Sequence, residues 1–350
     1  MEVSMPINLA LVGFGMASQV FHAPLIMAEP QLTLHTIVQR SSQSARETYP
    51  HVQIVSDLAE ALANPAIELV VIATPNQTHA DLAAQALRAG KHVVVDKPFT
   101  LNSQQADQLI ALAQEQQRVL SVFHNRRWDG DFLTAQAVIQ AGWLGRLVSY
   151  ECHYDRYRPQ LKQAAWREQA GLGSGILYDL GAHLIDQALV LFGMPQSITA
   201  QLAKQREGAQ TVDYFDLCLG YAELQVTLKA GMLVRELGPR FSLHGTNGSW
   251  IKYGIDPQEA ALKAGQAPNS PNWGQEPATD WGMINTELNG LALRGTVETI
   301  AGKYPAYYCN VAQAIQGKAE IIVQANQARS VIRLIELAEQ SAAEQRTMTI

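Results

Sequence analysis

Ile7-Asn8-Leu9-Ala10-Leu11-Val12-Gly13-Phe14-Gly15-Met16-Ala17-Ser18 is the stretch that decides the fold. A short apolar run stops at two glycines one residue apart, and a helix-compatible segment follows at once. Gly13 permits a tight turn. Gly15 lets a pyrophosphate approach the backbone, where helix N–H groups and the helix dipole stabilise it. Ser18 stands where a dinucleotide fingerprint has its third glycine, and is small enough for close helix–strand packing. The loop predicts a nucleotide site built from Gly13, Phe14, Gly15, Met16, Ala17 and Ser18.

Working outward, further β-rich runs follow at Leu32–Val38, Val52–Val55, Ile67–Ile72, His92–Val95 and Val119–Phe123. Segments with apolar residues at helical spacing, such as Asp81–Ala89 and Ser103–Gln116, lie between them. Nearly continuous apolar strands imply burial on both faces, as in a parallel sheet covered by helices. The rhythm predicts a doubly wound α/β dinucleotide-binding (Rossmann) domain over residues 1–124.

After Phe123 the texture changes. A helix near Phe132–Ala141 leads to a long strand at Leu147–Tyr157, a Gly-rich segment and a helix at Ile176–Leu191. Strands are expected at Ser197–Lys204, Phe215–Leu219, Glu223–Leu228 and Phe241–His244, with a hairpin turn at Asn247-Gly248. Residues 125–350 therefore read as an α+β domain with a large, mostly antiparallel sheet, which is expected to serve substrate binding and oligomerisation on the resemblance given below. Asp256–Gly290 reads as a surface excursion, and a helix over about 325–343 is expected to close the chain by packing back on the first domain.

Hydrophobic residues make up 47% and charged residues 17% of the 350, ordinary for a soluble protein with sizeable cores. A net charge of -6 without a Lys/Arg-rich block argues against a nucleic-acid partner. No apolar run reaches membrane-spanning length, and the three scattered cysteines offer neither a disulfide framework nor a metal site. The expectation is a cytoplasmic protein that binds no metal and no membrane.

The strand ends carry further cofactor candidates. NAD-binding folds commonly place an acid after the second strand for the ribose 2′-hydroxyl. Here Val38-Gln39-Arg40-Ser41-Ser42 has none, and Arg40 with Ser41 suits a 2′-phosphate, so NADP is expected, with NAD as the alternative. Thr74, Pro75 and Asn76 after the fourth strand, with His79 beyond, are placed for the nicotinamide half.

Asp96-Lys97-Pro98 ends the apolar run Val93-Val94-Val95. Lysine before proline is a poor sheet builder there, but it can hold an ammonium at the carboxyl edge of a parallel sheet, on a peptide able to be cis. Asp179 and His183 are spaced to share a helical face, with Asp186 beside them. A cation, a carboxylate and an imidazole are what a dehydrogenase needs to move a proton while nicotinamide takes a hydride.

These residues resemble the glucose–fructose oxidoreductase, inositol dehydrogenase and rhizopine catabolism protein family. The resemblance runs through Gly13-x-Gly15, Ala73-Thr74-Pro75-Asn76, Ala89-Gly90-Lys91-His92-Val93, Asp96-Lys97-Pro98 and Gly175 through Asp186. The family's Glu-Lys-Pro stands here as Asp-Lys-Pro. Val20-Phe21-His22-Ala23-Pro24, Asn125-Arg126-Arg127-Trp128-Asp129 and Gly245-Thr246-Asn247-Gly248-Ser249 resemble its NADP-dependent scyllo-inositol dehydrogenase branch.

The resemblance implies that His183 exchanges the carbinol proton, Lys97 holds the reacting oxygen, and Asp179 orients the substrate or relays the proton. Asp96, Lys97, Asn125, Trp166 and Arg167 join the expected cofactor contacts, and Arg126, Tyr154 and Arg156 the substrate contacts. The expected activity is NADP-dependent hydride transfer on a polyol or sugar, such as scyllo-inositol and its inosose, by a homodimer or homotetramer. Reduction of another sugar carbonyl (an aldose or anhydro sugar) and a nucleotide-sensing regulator without turnover are the alternatives.

Overall fold

A computed structural model describes residues 5–40, 44–162 and 168–350. The chain forms two compact units. The first comprises Met1–Asn125, Gln258–Trp273 and Lys303–Arg329, and the second Arg126–Pro257, Gly274–Gly302 and Ser330–Ile350. The single cut expected after residue 124 thus misses two later segments that return to the first unit.

Six parallel strands make the first unit's sheet: β1 (Ile7–Val12), β2 (Leu32–Val38), β3 (Gln53–Val55), β4 (Leu69–Ile72), β5 (His92–Val95) and β6 (Leu120–Val122). Their order is β3-β2-β1-β4-β5-β6, so the winding reverses between β1 and β4, where open α/β sheets bind ligands at strand carboxyl ends. Leu9, Leu11, Val70, Val71, Val93 and Val94 are wholly buried, as expected of strands covered on both faces. The helices of this unit are α1 (Ala23–Met27, entered through a π-helical turn Ser18–His22), α2 (Ala45–Thr48), α3 (Leu58–Ala63), α4 (His79–Arg88), α5 (Ser103–Glu115), α8 (Gln258–Lys263) and α9 (Pro305–Ile315).

The second unit holds a nine-stranded sheet. Its strands are β7 (Leu147–His153), β8 (Ser197–Ala203), β9 (Tyr214–Gly220), β10 (Gln225–Gly231), β11 (Phe241–Gly245), β12 (Gly248–Lys252), β13 (Gly282–Leu288), β14 (Leu291–Val297) and β15 (Met348–Thr349). All neighbours pair antiparallel except β7 and β10. Helices α6 (Gly130–Gln140) and α7 (Ala182–Phe192, entered through a π-helical turn Leu177–Gly181) belong here, and the point dividing the units falls inside α10 (Ala325–Glu344). Alternate residues of β7, β9 and β10 are buried, and α7 with its entry turn packs on β9 and β10.

The surface excursion expected at Asp256–Gly290 is confined to its middle, where residues 263–281 are mostly exposed. Its first part contains α8, where the buried Gln258 accepts hydrogen bonds from Trp273 Nε1 and the Tyr304 backbone N–H at 2.9 and 2.7 Å. Its last part is β13, with Ile284 and Thr286 buried while Met283, Asn285 and Glu287 face outward. Among the described residues no helix is long and apolar enough to cross a membrane.

Candidate functional site

In the first unit, the loops after β1 and β4 meet. Gly13 has φ +90, and a side chain there would stand 2.7 Å from the Ala73 carbonyl oxygen and 3.1 Å from Thr74 Cγ2. Only glycine combines that backbone with so close an approach. Gly13 N–H donates to Val38 O at 3.0 Å, and the buried Ser18 hydroxyl donates back to Gly13 O at 2.8 Å, so Ser18 closes the turn from below. Over Gly15 no atom lies within 4 Å of where a Cβ would sit, and Met16 is exposed. A tight turn under an open backbone at a helix start is what a pyrophosphate requires, so these residues fit a dinucleotide.

Arg40 stands exposed at the end of β2, while Ser41 lies outside the described residues. On the loop after β4, the Thr74 and Thr78 hydroxyls are 2.7 Å apart, Thr78 also donates to Pro75 O, and Asn76 is buried.

His79 differs from expectation. Its ring is completely buried, with Nδ1 2.9 Å from Pro98 O and Nε2 2.9 Å from Thr74 O. Both nitrogens face backbone carbonyls, of which the neutral ring donates to one, so the ring ties the β4 loop to the β5 loop and is turned away from a cofactor. Burial holds its pKa below the usual imidazole value, against the pull of Asp96 and the two carbonyls.

Lys97 follows Asp96 at the carboxyl end of β5, half-buried, on a cis Lys97–Pro98 peptide. The Asp96 carboxylate accepts the Lys97 backbone N–H at 2.8 Å. Burial alone would raise the Asp96 pKa, but His22 first, then Lys97 and His79, hold it below the usual carboxylate value. Asn125, buried, opens the 3-10 turn Asn125–Trp128 beyond β6.

In the second unit, Gly175 has φ +80, and a side chain there would stand 2.8 Å from Val212 O. That turn feeds Leu177–Gly181, which carries half-buried Asp179, and then α7, whose first turn carries His183 at 5% exposure. Helix α7 runs antiparallel to β7: the Phe192 and Tyr150 rings are 5.2 Å apart, and Gln187 Oε1 lies 4.0 Å from Cys152 Sγ.

Tyr154, expected to touch substrate, is 2% exposed and packed beneath guanidinium groups. Arg126, Arg156 and Arg240 lie 4.9, 5.2 and 5.0 Å from its ring centroid. Arg126 pairs with Asp129 and Arg240 with Asp131, whereas Arg156 is half-buried and has no ion pair among the described residues. Tyr154 is therefore a floor on which the guanidiniums stack, and Arg156 is the one that offers donors.

Asp186 was expected to share a face with Asp179 and His183, but its carboxylate is occupied. Arg127 donates to it twice, Nε to Oδ2 at 2.8 Å and Nη2 to Oδ1 at 2.6 Å, with both residues buried. Gln187 Nε2 donates to Arg126 O at 2.9 Å, adding a second tie from α7 to the same loop. Sequence reasoning assigned Arg127 no role, because its partner lies 59 positions away. Trp166 and Arg167 lie outside the described residues. Among the described residues no cluster of His, Cys, Asp and Glu could hold a metal ion.

Comparison with known proteins agrees with this geometry. Residues 7–124 match the NAD-binding Rossmann fold of the GFO/IDH/MocA oxidoreductase family, and residues 136–350 match that family's C-terminal alpha/beta domain. The chain is 45% identical to the uncharacterized oxidoreductase YdgJ of Escherichia coli K12, covering 98% of this chain and 99% of that one. It is 41% identical to the scyllo-inositol 2-dehydrogenase (NADP(+)) IolW of Bacillus subtilis 168, covering 98% and 96%. A crystal structure of an oxidoreductase from Bacillus cereus superposes with a TM-score of 0.91 at 33% identity, covering 98% of each chain. The chain belongs to the GFO/IDH/MocA oxidoreductase family.

Proposed function

We propose that this oxidoreductase uses NADP to interconvert a polyol or sugar carbinol and its ketone, with scyllo-inositol and its inosose as the first pair to test. The observation that carries the reading is Lys97: an amine at the carboxyl end of a parallel strand, its backbone fixed on a carboxylate, in a unit whose Gly13–Gly15 turn fits a dinucleotide. The 41% identical relative named as an NADP-dependent scyllo-inositol dehydrogenase supports both cofactor and substrate class.

The nicotinamide would supply or accept the hydride. The pyrophosphate would lie over Gly13, Phe14, Gly15 and Met16, and Arg40 with Ser41 would take the 2′-phosphate, since no acid stands there for a free 2′-hydroxyl. Thr74, Pro75, Asn76 and Asn125 would border the nicotinamide half, and Trp166 and Arg167 are proposed to complete it.

Lys97 hydrogen-bonds the reacting oxygen and stabilises alkoxide charge as it develops. His183 accepts the carbinol proton in oxidation and returns it in reduction. Asp179 orients the hydroxyl beside it, and Arg156 donates to further hydroxyls of the substrate.

The reading is tested by following NADPH absorbance with a panel of inositols, inososes, aldoses and anhydro sugars. Turnover with NADP(H) on at least one polyol–ketone pair is expected. Tight nucleotide binding with no turnover on any of them would replace the enzyme reading with a nucleotide-sensing one.

A further inference from the structure

Behind Lys97 lies a buried polar series that the reaction as described does not use. Asp96 Oδ1 is 3.7 Å from His22 Nε2, close but longer than a hydrogen bond. On the other side of that ring, His22 Nδ1 is 2.6 Å from the Tyr308 hydroxyl of α9. His22 and Tyr308 are wholly buried and Asp96 is 8% exposed. The His22 ring is packed against Phe123, with centroids 4.3 Å apart, and Phe123 packs in turn on Tyr307 and Tyr308.

Burial, with Tyr307 and Asp96 nearby, lifts the Tyr308 pKa well above its usual value, so its hydroxyl keeps its proton. Donated to His22 Nδ1, that proton fixes the tautomer that carries N–H on Nε2, the side facing Asp96. The charged and titratable groups around Asp96 are His22 from the turn before α1, His79 from α4, Lys97 beside it and Tyr308 from α9. A purely packing role would not call for a phenol, an imidazole and a carboxylate in line, since apolar residues of the same volume avoid the desolvation cost.

We propose that His22 and Tyr308 are positioning residues that act on Lys97 through Asp96. The proposal rests on the reading that Lys97 holds the reacting oxygen. Tyr308 orients the ring, the ring turns its Nε2 edge toward the carboxylate, and the carboxylate fixes the Lys97 backbone.

Tyr308→Phe removes one oxygen and leaves the packing in place, so it is the primary variant. With Asp96→Asn and the double variant it forms a cycle read by kcat, by NADPH binding through fluorescence, and by melting temperature. Tyr308→Phe should lower kcat by about threefold to tenfold with NADPH affinity within about twofold of wild type. In the Asp96→Asn background the same change should have almost no further effect, because its route to Lys97 is already cut.

A second readout needs no turnover. Labelling of Lys97 by acetic anhydride, compared by mass spectrometry with exposed Lys318, should run about threefold faster or more in Asp96→Asn, which loses the carboxylate that fixes the Lys97 backbone. Tyr308→Phe should change it in the same direction. Multiplicative kcat losses, a Tyr308→Phe that lowers only the melting temperature, or Lys97 labelling unchanged in both variants would overturn the proposal. A wild-type protein whose Lys97 labelling responds but which turns over no carbinol or ketone would instead overturn the functional reading.

Discussion

Arg127 and Asp186 are buried charges that neutralise each other through two parallel hydrogen bonds. Removing one partner of such a pair strands the other without water, so Arg127→Ala should cost about 3–5 kcal/mol in urea unfolding. Arg127→Met with Asp186→Leu should be clearly milder than Arg127→Ala. A single variant within about 1 kcal/mol of wild type would mean that the pair carries little. Arg40 acts through the ligand instead. Exposed at the end of β2, it is proposed to make a charge-assisted contact only with a nucleotide that has a 2′-phosphate. Arg40→Ala should raise the KM for NADPH about tenfold or more while leaving that for NADH nearly unchanged. Equal effects on both coenzymes would remove Arg40 from the specificity argument.

Between neighbouring elements, His92 of β5 is a proton-sensitive join. Its Nδ1 accepts the Val119 backbone N–H at 2.9 Å just before β6, which requires an unprotonated nitrogen. Burial first and the Arg118 charge second push its pKa from 6.5 down to about 4. Between those values the unfolded chain binds a proton that the folded chain refuses, so stability is full above pH 6.5 and declines as pH falls toward 4. His92 contributes at most about 3 kcal/mol of that decline, less once solvent screening of its half-buried ring is counted. The buried His79 ring, also lowered, adds in the same direction. Urea titrations from pH 8 to pH 4 should show the decline, and His92→Gln should reduce it. An identical slope in the variant would contradict the assignment.

Across the whole molecule, legibility followed burial pattern. β1, β2 and β5 run over the residues expected of them, because apolar residues run nearly unbroken in β1 and β5 and alternate with polar ones at the start of β2. β13 and β14 went unread since polar residues alternate through the one and most of the other is exposed. Helix α9 had a signal that could have found it: Pro305 at the first position, then Tyr307, Tyr308, Val311 and Ala312 buried along one face. At the candidate site, Lys97 and His183 stood out as groups ill-suited to their surroundings. His22 was quoted in a motif without a role, because its partner Tyr308 lies 286 positions away and no local pattern encodes that meeting.

Lys97 and His183 are proposed to carry the chemistry and the Gly13–Gly15 turn the cofactor. The direct measurement is kcat for Lys97→Ala and His183→Ala on the best polyol or ketone substrate, with NADPH affinity read on the same preparations. Both variants should lose about 100-fold or more in kcat and keep NADPH binding within a few-fold of wild type. Near-wild-type turnover in both variants would remove Lys97 and His183 from the chemistry.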